Sequence, residues 1–217
     1  VVGALIALIF RHPPLAFAFV AVMAVVAGAT SGGRIRRIPG ARRAALVAIA
    51  LPALGVTGVL LLVGAFEVTP RAAIPTAGIL IGGAMAAATL TGRRLVEALD
   101  ERADEVEARL ALGDDVPTAL APLVRVAVTT GVVPVIDQTR SVGLVTLPGT
   151  FVGLLLGGAS PATAARIQLT VLLALLLVEL LAGLLIALAI RRAVTAPGER
   201  VVVPPADGRS ATDPGRG

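Results

Sequence analysis

Apolar runs separated by short arginine-bearing breaks set the pattern of this chain. Residues 1–10 are apolar but too short to span, and they stop before Arg11, His12, Pro13 and Pro14. Further apolar runs follow over 15–30, over 44–66 with Pro52 inside it, over 72–91, over 136–158 and over 167–190, the last being the most hydrophobic. About 20 residues cover the roughly 30 Å of hydrocarbon at 1.5 Å per residue. These five runs are therefore predicted to span, with residues 1–10 as the stump of another helix.

Residues 93–115 differ in character. Twelve of them are charged, while Leu95, Leu99, Val106 and Leu110 recur along one helical face, predicting an amphipathic, water-facing helix. Pro117 then opens a moderately apolar stretch to Val133 that carries Arg125. We read it as a membrane-surface helix, because an added span over 119–135 would put Arg191 and Arg192 opposite the other arginine clusters. From Thr195 onward, Pro, Gly and charge predict disorder. The fold class is an all-α polytopic membrane helical bundle with a cytosolic amphipathic coupling-helix insertion. Its parts are N-terminal spans over 1–92, a coupling region over 93–135, a helix pair over 136–192 and a disordered cytosolic tail over 193–217.

Composition agrees with a bilayer protein: 56% of residues are hydrophobic, 15% are charged and the mean hydropathy is +0.92. The chain has no Cys, so neither disulfides nor thiolate metal sites are available. All nineteen basic residues are Arg. Without Lys there is no Walker A phosphate loop and no Schiff-base lysine, so ATP-driven work requires another chain. The net charge of +5 does not point to nucleic acid, because the arginines flank apolar runs instead of interleaving with aromatics. Under the positive-inside rule, Arg34 to Arg43, the 93–125 segment and Arg191 with Arg192 face the cytoplasm.

Several residues carry candidate chemistry. Gly149, Gly153 and Gly157 share a helix face, as do Gly78, Gly82 and Ala86, and both patterns suit close helix packing, more ordinarily than sliding helices. Pro148, near the middle of its run, is expected to kink it beside Thr146 and Thr150, freeing carbonyls toward a translocation path or serving packing alone. Glu179 lies deep in the last run, where a carboxylate must be protonated, paired or facing a cavity. Function and a neutral structural role weigh equally for it. Asp137 and Arg140 are spaced to pair with each other near the cytoplasmic entrance of a span. Glu67 could be an exit-side ligand for a hard cation, although solvated loop carboxylates are commoner. No residues show metal-chelating spacing, so no metal site is assignable. Finally, the charged helix ends at Gly113 and a new helix opens at Pro117, which makes either a knob for a partner's groove or an ordinary hairpin.

The stretches IPTAGILIGGAM at 74–85, EARLALGDDVPTAL at 107–120 and VIDQTRSVGLVTLPGTFVGLLLGGASPATAARIQ at 135–168 resemble the FetB-type iron-export permease family, which includes plant aluminium-tolerance permeases. The resemblance runs in order through nearly all of residues 1–192. It implies a multi-pass permease of the inner (plasma) membrane, present as a homodimer among membrane lipid and driven by a cytosolic ABC ATP-binding subunit. ATP is expected on that partner, with no cofactor in this chain and no enzymatic activity of its own. It also implies that the stretch of Ala108, Leu110, Ala111, Leu112, Gly113 and Pro117 is the coupling region. Glu67, Asp137, Pro148 and Gly149 fall on the family pattern, whereas Glu179 is less regular in it. Members begin with one further complete helix, so the chain is expected to be short at its N-terminus. The rival readings are a proton-linked secondary transporter using Glu179 and a membrane scaffold without transport activity.

The topology makes a first prediction. Because the chain has no native Cys, Ala103→Cys introduces one label site; an impermeant thiol reagent should reach it only from the cytoplasmic side, and labelling from outside intact cells would overturn the orientation.

Overall fold

The computed structural model describes residues 13–65, 69–141, 148–196 and 200–203. Among them the helices are α1 (Pro13–Arg34), α2 (Ala41–Leu62), α3 (Pro70–Glu101), α4 (Ala103–Ala111), α5 (Val116–Ser141), α6 (Gly149–Leu156) and α7 (Pro161–Val194). A small antiparallel hairpin pairs β1 (Thr195–Ala196) with β2 (Arg200–Val201). Helices α1, α2, α3, α5 and α7 are long and apolar enough to cross a membrane. Proline in the first turn fits the start of α3 and of α7, since an N–H missing there was unpaired anyway. Ser160 also caps α7, its Oγ accepting the Thr163 N–H at 3.2 Å.

Helix α3 is the centre of the bundle. It packs against α1, α2, α5 and α7, most extensively against α7. Its contact faces are built of small residues, with Ala84, Ala87 and Ala88 all buried. Small residues matter because lipid tails are as apolar as Leu, so helix association in a bilayer relies on close van der Waals contact. The same device joins α1 to α2. A Cβ at Gly28 would lie 2.6 Å from Leu46 Cα, and one at Gly32 would lie 2.5 Å from Arg42 Cα. The two backbones touch at successive turns, through a small-xxx-small pair of α1.

The segments richest in arginine, at the α1–α2 connection, the end of α3 with α4, and the end of α7, gather at one end. Arg37, between α1 and α2, forms an ion pair with Asp100 near the end of α3. Asp115, before α5, lies near enough to Arg191 at the end of α7 to feel its charge. The opposite end holds the end of α2, the start of α3, the end of α5 and α6. This polarity is the one required by five crossings.

Several expectations change. The stretch 117–133 is not a surface helix: it belongs to α5, whose Leu120, Leu123, Ala127, Val128, Val132 and Val135 are buried against α3 and α7. Conversely, 136–158 is not one span. Its first residues finish α5, and its last part forms the eight-residue α6, which at about 12 Å is too short to cross. The sequence argument assumed that both stretches would cross if the first did. Exchanging which one crosses leaves Arg191 on the arginine-rich side. The charged helix expected over 93–115 is also divided, since α3 runs on to Glu101 and turns at Arg102 into α4. The turn lets Val106 bury while α4 folds toward α5 and β2. The tail is ordered through Val203 in its described part, where the Val202 N–H donates to the Val194 carbonyl at 2.8 Å.

Backbone contact between α1 and α2 makes a second prediction. Gly32→Leu should lower stability in detergent by about 1–3 kcal/mol, read as a lower unfolding midpoint. Gly33→Leu, one residue along where a Cβ meets nothing within 4 Å, should leave the midpoint unchanged.

Candidate functional site

Three places in this bundle carry chemistry beyond apolar packing. The first is buried, between α3 and α7. Glu179 is 6% exposed, and its Oε1 lies against Gly83 of α3, where a Cβ would approach it to 2.7 Å. Among the described residues no hydrogen-bond or ion-pair partner meets the carboxylate. One side-chain layer toward the arginine-rich end, Thr91 fills the space left by Gly131 of α5 and Gly183 of α7. Its Oγ1 is buried without a hydrogen-bond partner. By contrast, Thr89 of the same helix donates to Ser31 Oγ of α1 at 3.0 Å, both residues being buried.

The second place is the outward face of α5. The outward faces of α1, α2 and α7 are apolar over their membrane-length stretches, exposing residues such as Val22, Val25, Leu51, Val59, Leu173 and Leu177. Helix α5 instead exposes Thr129, Asp137 and Arg140, and above all Arg125. Arg125 stands nine residues into α5, about 14 Å along its axis. A cation at that depth is costly against lipid and fits a water-filled path or a protein neighbour. Sequence reasoning missed this residue because its stretch was assigned to the membrane surface. An arginine inside an 18-residue apolar window was the available signal.

The third place is the α4–α5 turn at the arginine-rich end. Gly113 has φ +99, a conformation that favours glycine. The Asp114 N–H donates to the Arg109 carbonyl and the Gly113 N–H to that of Leu110, closing the end of α4 in a Schellman motif. Asp115 then caps α5, accepting the Thr118 N–H at 3.0 Å. Hydrogen bonds from the Thr118 hydroxyl and then its N–H hold the Asp115 carboxyl below the ordinary aspartate range, with Arg191 adding a smaller pull. A lowered folded-state pKa makes the cap's contribution full above that ordinary range; it is lost as the pH falls through the lowered value. At the apex, Leu112 is 88% exposed. Ala108 and Ala111 are exposed, Leu110 is partly buried against the core, and Pro117 lies in the first turn of α5.

The remaining sequence candidates are dispersed. Pro148 does not kink a span; it is the extended residue before α6, with ψ 144. Gly149 and Gly153 meet nothing within 4 Å, and Gly157 meets only carbonyls of its own helix, so this face is open in the single chain and is not a packing contact. Instead α6 is held to α7 by a hydrogen bond from Thr150 to the buried Gln168. Gly78 does pack, against Met23 of α1, whereas Gly82 is open. Asp137 lies at the end of α5 away from the arginine-rich loops, opposite to the side expected, and no ion pair joins it to Arg140. Glu67 and Thr146 lie outside the described residues. Among the described residues no three His, Asp or Glu side chains converge as a metal site. An apolar groove of about 380 Å³ between α1, α2 and α3, lined by Phe17, Val20, Leu54, Leu61 and Ile74, offers only the hydroxyls of Thr57 and Thr69.

Comparison with known proteins places this arrangement. Residues 1–195 match the model of the uncharacterised protein family UPF0014, and the chain belongs to that family. It is 36% identical to the rice "UPF0014 membrane protein STAR2" over 79% of this chain and 61% of the relative. It is also 36% identical to "Protein ALUMINUM SENSITIVE 3" of Arabidopsis thaliana, over 69% of this chain and 55% of the relative. Identity to the "Probable iron export permease protein FetB" of Escherichia coli is 35%, over 56% and 48%. The chain thus spans about half to three-fifths of the length of these curated relatives. No solved structure matches it significantly.

The two buried threonines of α3 make a third prediction. Thr91→Val removes a hydroxyl that has no partner, so stability in detergent should be unchanged or higher. Thr89→Val leaves Ser31 unpaired and should cost about 1 kcal/mol. Paired unfolding curves check the contrast, which fails if Thr91→Val is the more damaging change.

Proposed function

We propose that this UPF0014 member is the permease of an ABC-type exporter, working with a separate ATP-binding subunit and a second copy of itself, with iron or another metal ion as cargo. The observation that carries the reading is the α4–α5 turn. A large apolar side chain, Leu112, stands 88% exposed at the apex of a turn fixed at both sides by backbone and side-chain hydrogen bonds. In a chain without Lys, force from nucleotide hydrolysis must arrive through such a contact. A groove on the ATP-binding subunit would seat Leu112 and Ala111, with Ala108, Leu110, Gly113 and Pro117 shaping the knob. Displacement of the turn would pass directly into α5, which begins three residues beyond Gly113.

Helix α5 also presents Arg125, Thr129 and Asp137 outward. Matching faces from two copies would enclose a polar path, with Asp137 toward its far end and Pro148 and Gly149 as further candidates for its lining. Metal as cargo is taken from the relative whose name describes it as a probable iron export permease. With no Cys in the chain, the ligands available to such an ion are hard oxygens: carboxylates, hydroxyls and carbonyls. A second reading, a proton-linked transporter, rests on the buried, unpartnered Glu179.

Leu112→Asp separates the readings. The variant should insert normally but lose at least about tenfold of its co-purifying ATP-binding subunit or of substrate-stimulated ATP hydrolysis, as removal of a buried apolar anchor does at other interfaces. Cellular iron should then rise toward the level of cells lacking the protein. Unchanged coupling and metal content would exclude this interface, and loss of transport confined to Glu179→Gln would favour the proton-linked reading.

A further inference from the structure

Two groups of arginines at one end of the bundle differ in how their charge is met. Along α3 and α4 they are neutralised locally: Arg93 and Arg94 reach Glu97, Arg102 reaches Glu105, and Arg109 reaches Glu105 and Asp114. Between α1 and α2 only Arg37 has a carboxylate, that of Asp100. Arg34, Arg36, Arg42 and Arg43 are exposed, and among the described residues none has an ion-pair partner. The first turn of α2 contains no acidic residue.

These charges are also shaped into a site. Arg36, Arg42 and Arg43 line a concavity of about 460 Å³ with Gly32, Ile38, Gly40 and Ala41, and no carboxylate enters its wall. Backbone contact at Gly32 holds the end of α1 on the start of α2, so Arg36 of the connection and Arg42 and Arg43 of α2 face the same space. Its depth is fixed by the helices themselves. Arg34 is the last residue of α1, and Arg42 and Arg43 are the second and third of α2, which places the guanidinium groups at the level of lipid headgroups. A neighbouring concavity of about 230 Å³ shares Arg36 and adds Arg34, Arg37 and Arg93, but there Arg93 is paired with Glu97 and Arg37 with Asp100.

We propose that Arg36, Arg42 and Arg43 form a binding site for the phosphodiester headgroup of an anionic phospholipid. Guanidinium groups offer paired N–H donors that match phosphate oxygens. Basic pockets between transmembrane helices at the cytoplasmic surface suit anionic headgroups, each arginine contributing substantially at a charged surface. The lipid's acyl chains would lie along the exposed apolar faces of α1 and α2, at Val25, Val26, Val47 and Leu51. The site thus ties the α1–α2 hairpin to the membrane surface.

Native mass spectrometry of the purified chain with added phosphatidylglycerol or phosphatidylcholine tests this. Wild type should retain phosphatidylglycerol selectively, and the triple variant Arg36→Gln, Arg42→Gln, Arg43→Gln should bind it at least about tenfold more weakly. Arg93→Gln with Arg94→Gln should change retention by less than about twofold. The corresponding triple Lys variant should keep most of the binding, which guards against a Gln variant that fails to fold. Glycerol phosphate alone should not displace the lipid at equal concentration. Equal retention by wild type and a folded triple Gln variant would overturn the proposal. So would an equal loss in the Arg93 and Arg94 variant, or displacement by glycerol phosphate.

Discussion

Close approach of helix backbones onto α3 is the constraint from which this architecture follows. Within a bilayer, backbone polar groups are satisfied inside each helix, and lipid competes on equal terms for apolar side chains. Packing is therefore gained where small residues remove the spacing between helices. Gly83 admits Leu175 and Glu179 of α7, Gly92 admits Ile35 and Ile186, and Gly131 and Gly183 leave the gap filled by Thr91. Bulky residues at these points would separate α3 from its neighbours together. The contact of α1 with α2 at Gly28 and Gly32 repeats the principle beside α3.

That packing also determines where charge can reside. Glu179 belongs to the best-packed helix pair and lies among apolar and small residues, whereas Arg125 lies on the outer surface of α5. The two deep ionisable residues thus raise different questions. A buried carboxylate concerns protonation and conformational change within one chain. An outward arginine concerns what the chain packs against. Its position gives α5 a polar surface that α1, α2 and α7 lack, and connects that surface to the exposed turn at Leu112 through one continuous helix.

At the arginine-rich end, local ion pairs divide the cationic surface. Glu97, Glu105 and Asp114 meet the charge of Arg93, Arg94, Arg102 and Arg109, whereas Arg34, Arg36, Arg42 and Arg43 of the α1–α2 hairpin have no ion-pair partner among the described residues. Exposed pairs of this kind contribute little stability. Their effect is on the shape of the field, which becomes concentrated at headgroup depth instead of spread over the whole face.

The sequence by itself determined the class of the protein, because hydrophobic runs of membrane length, arginine placement and the absence of Lys act through composition and period alone. It also located the stop at Gly113 and the fresh helix start near Pro117, since helix-ending chemistry is local. The family was legible in the motifs at 74–85, 107–120 and 135–168. Which of two adjacent stretches crosses could not be read in this way. The 117–133 run carries two prolines within its helix and an arginine, and only burial of Leu120, Leu123 and Val132 against α3 and α7 makes α5 a spanning helix. Likewise, the glycines at 149, 153 and 157 have the period of a packing face yet meet no neighbouring helix in the single chain, while the Gly28 and Gly32 pair does the packing. Spacing defines which residues share a face; only tertiary structure decides what that face meets, because contact depends on the positions of other helices.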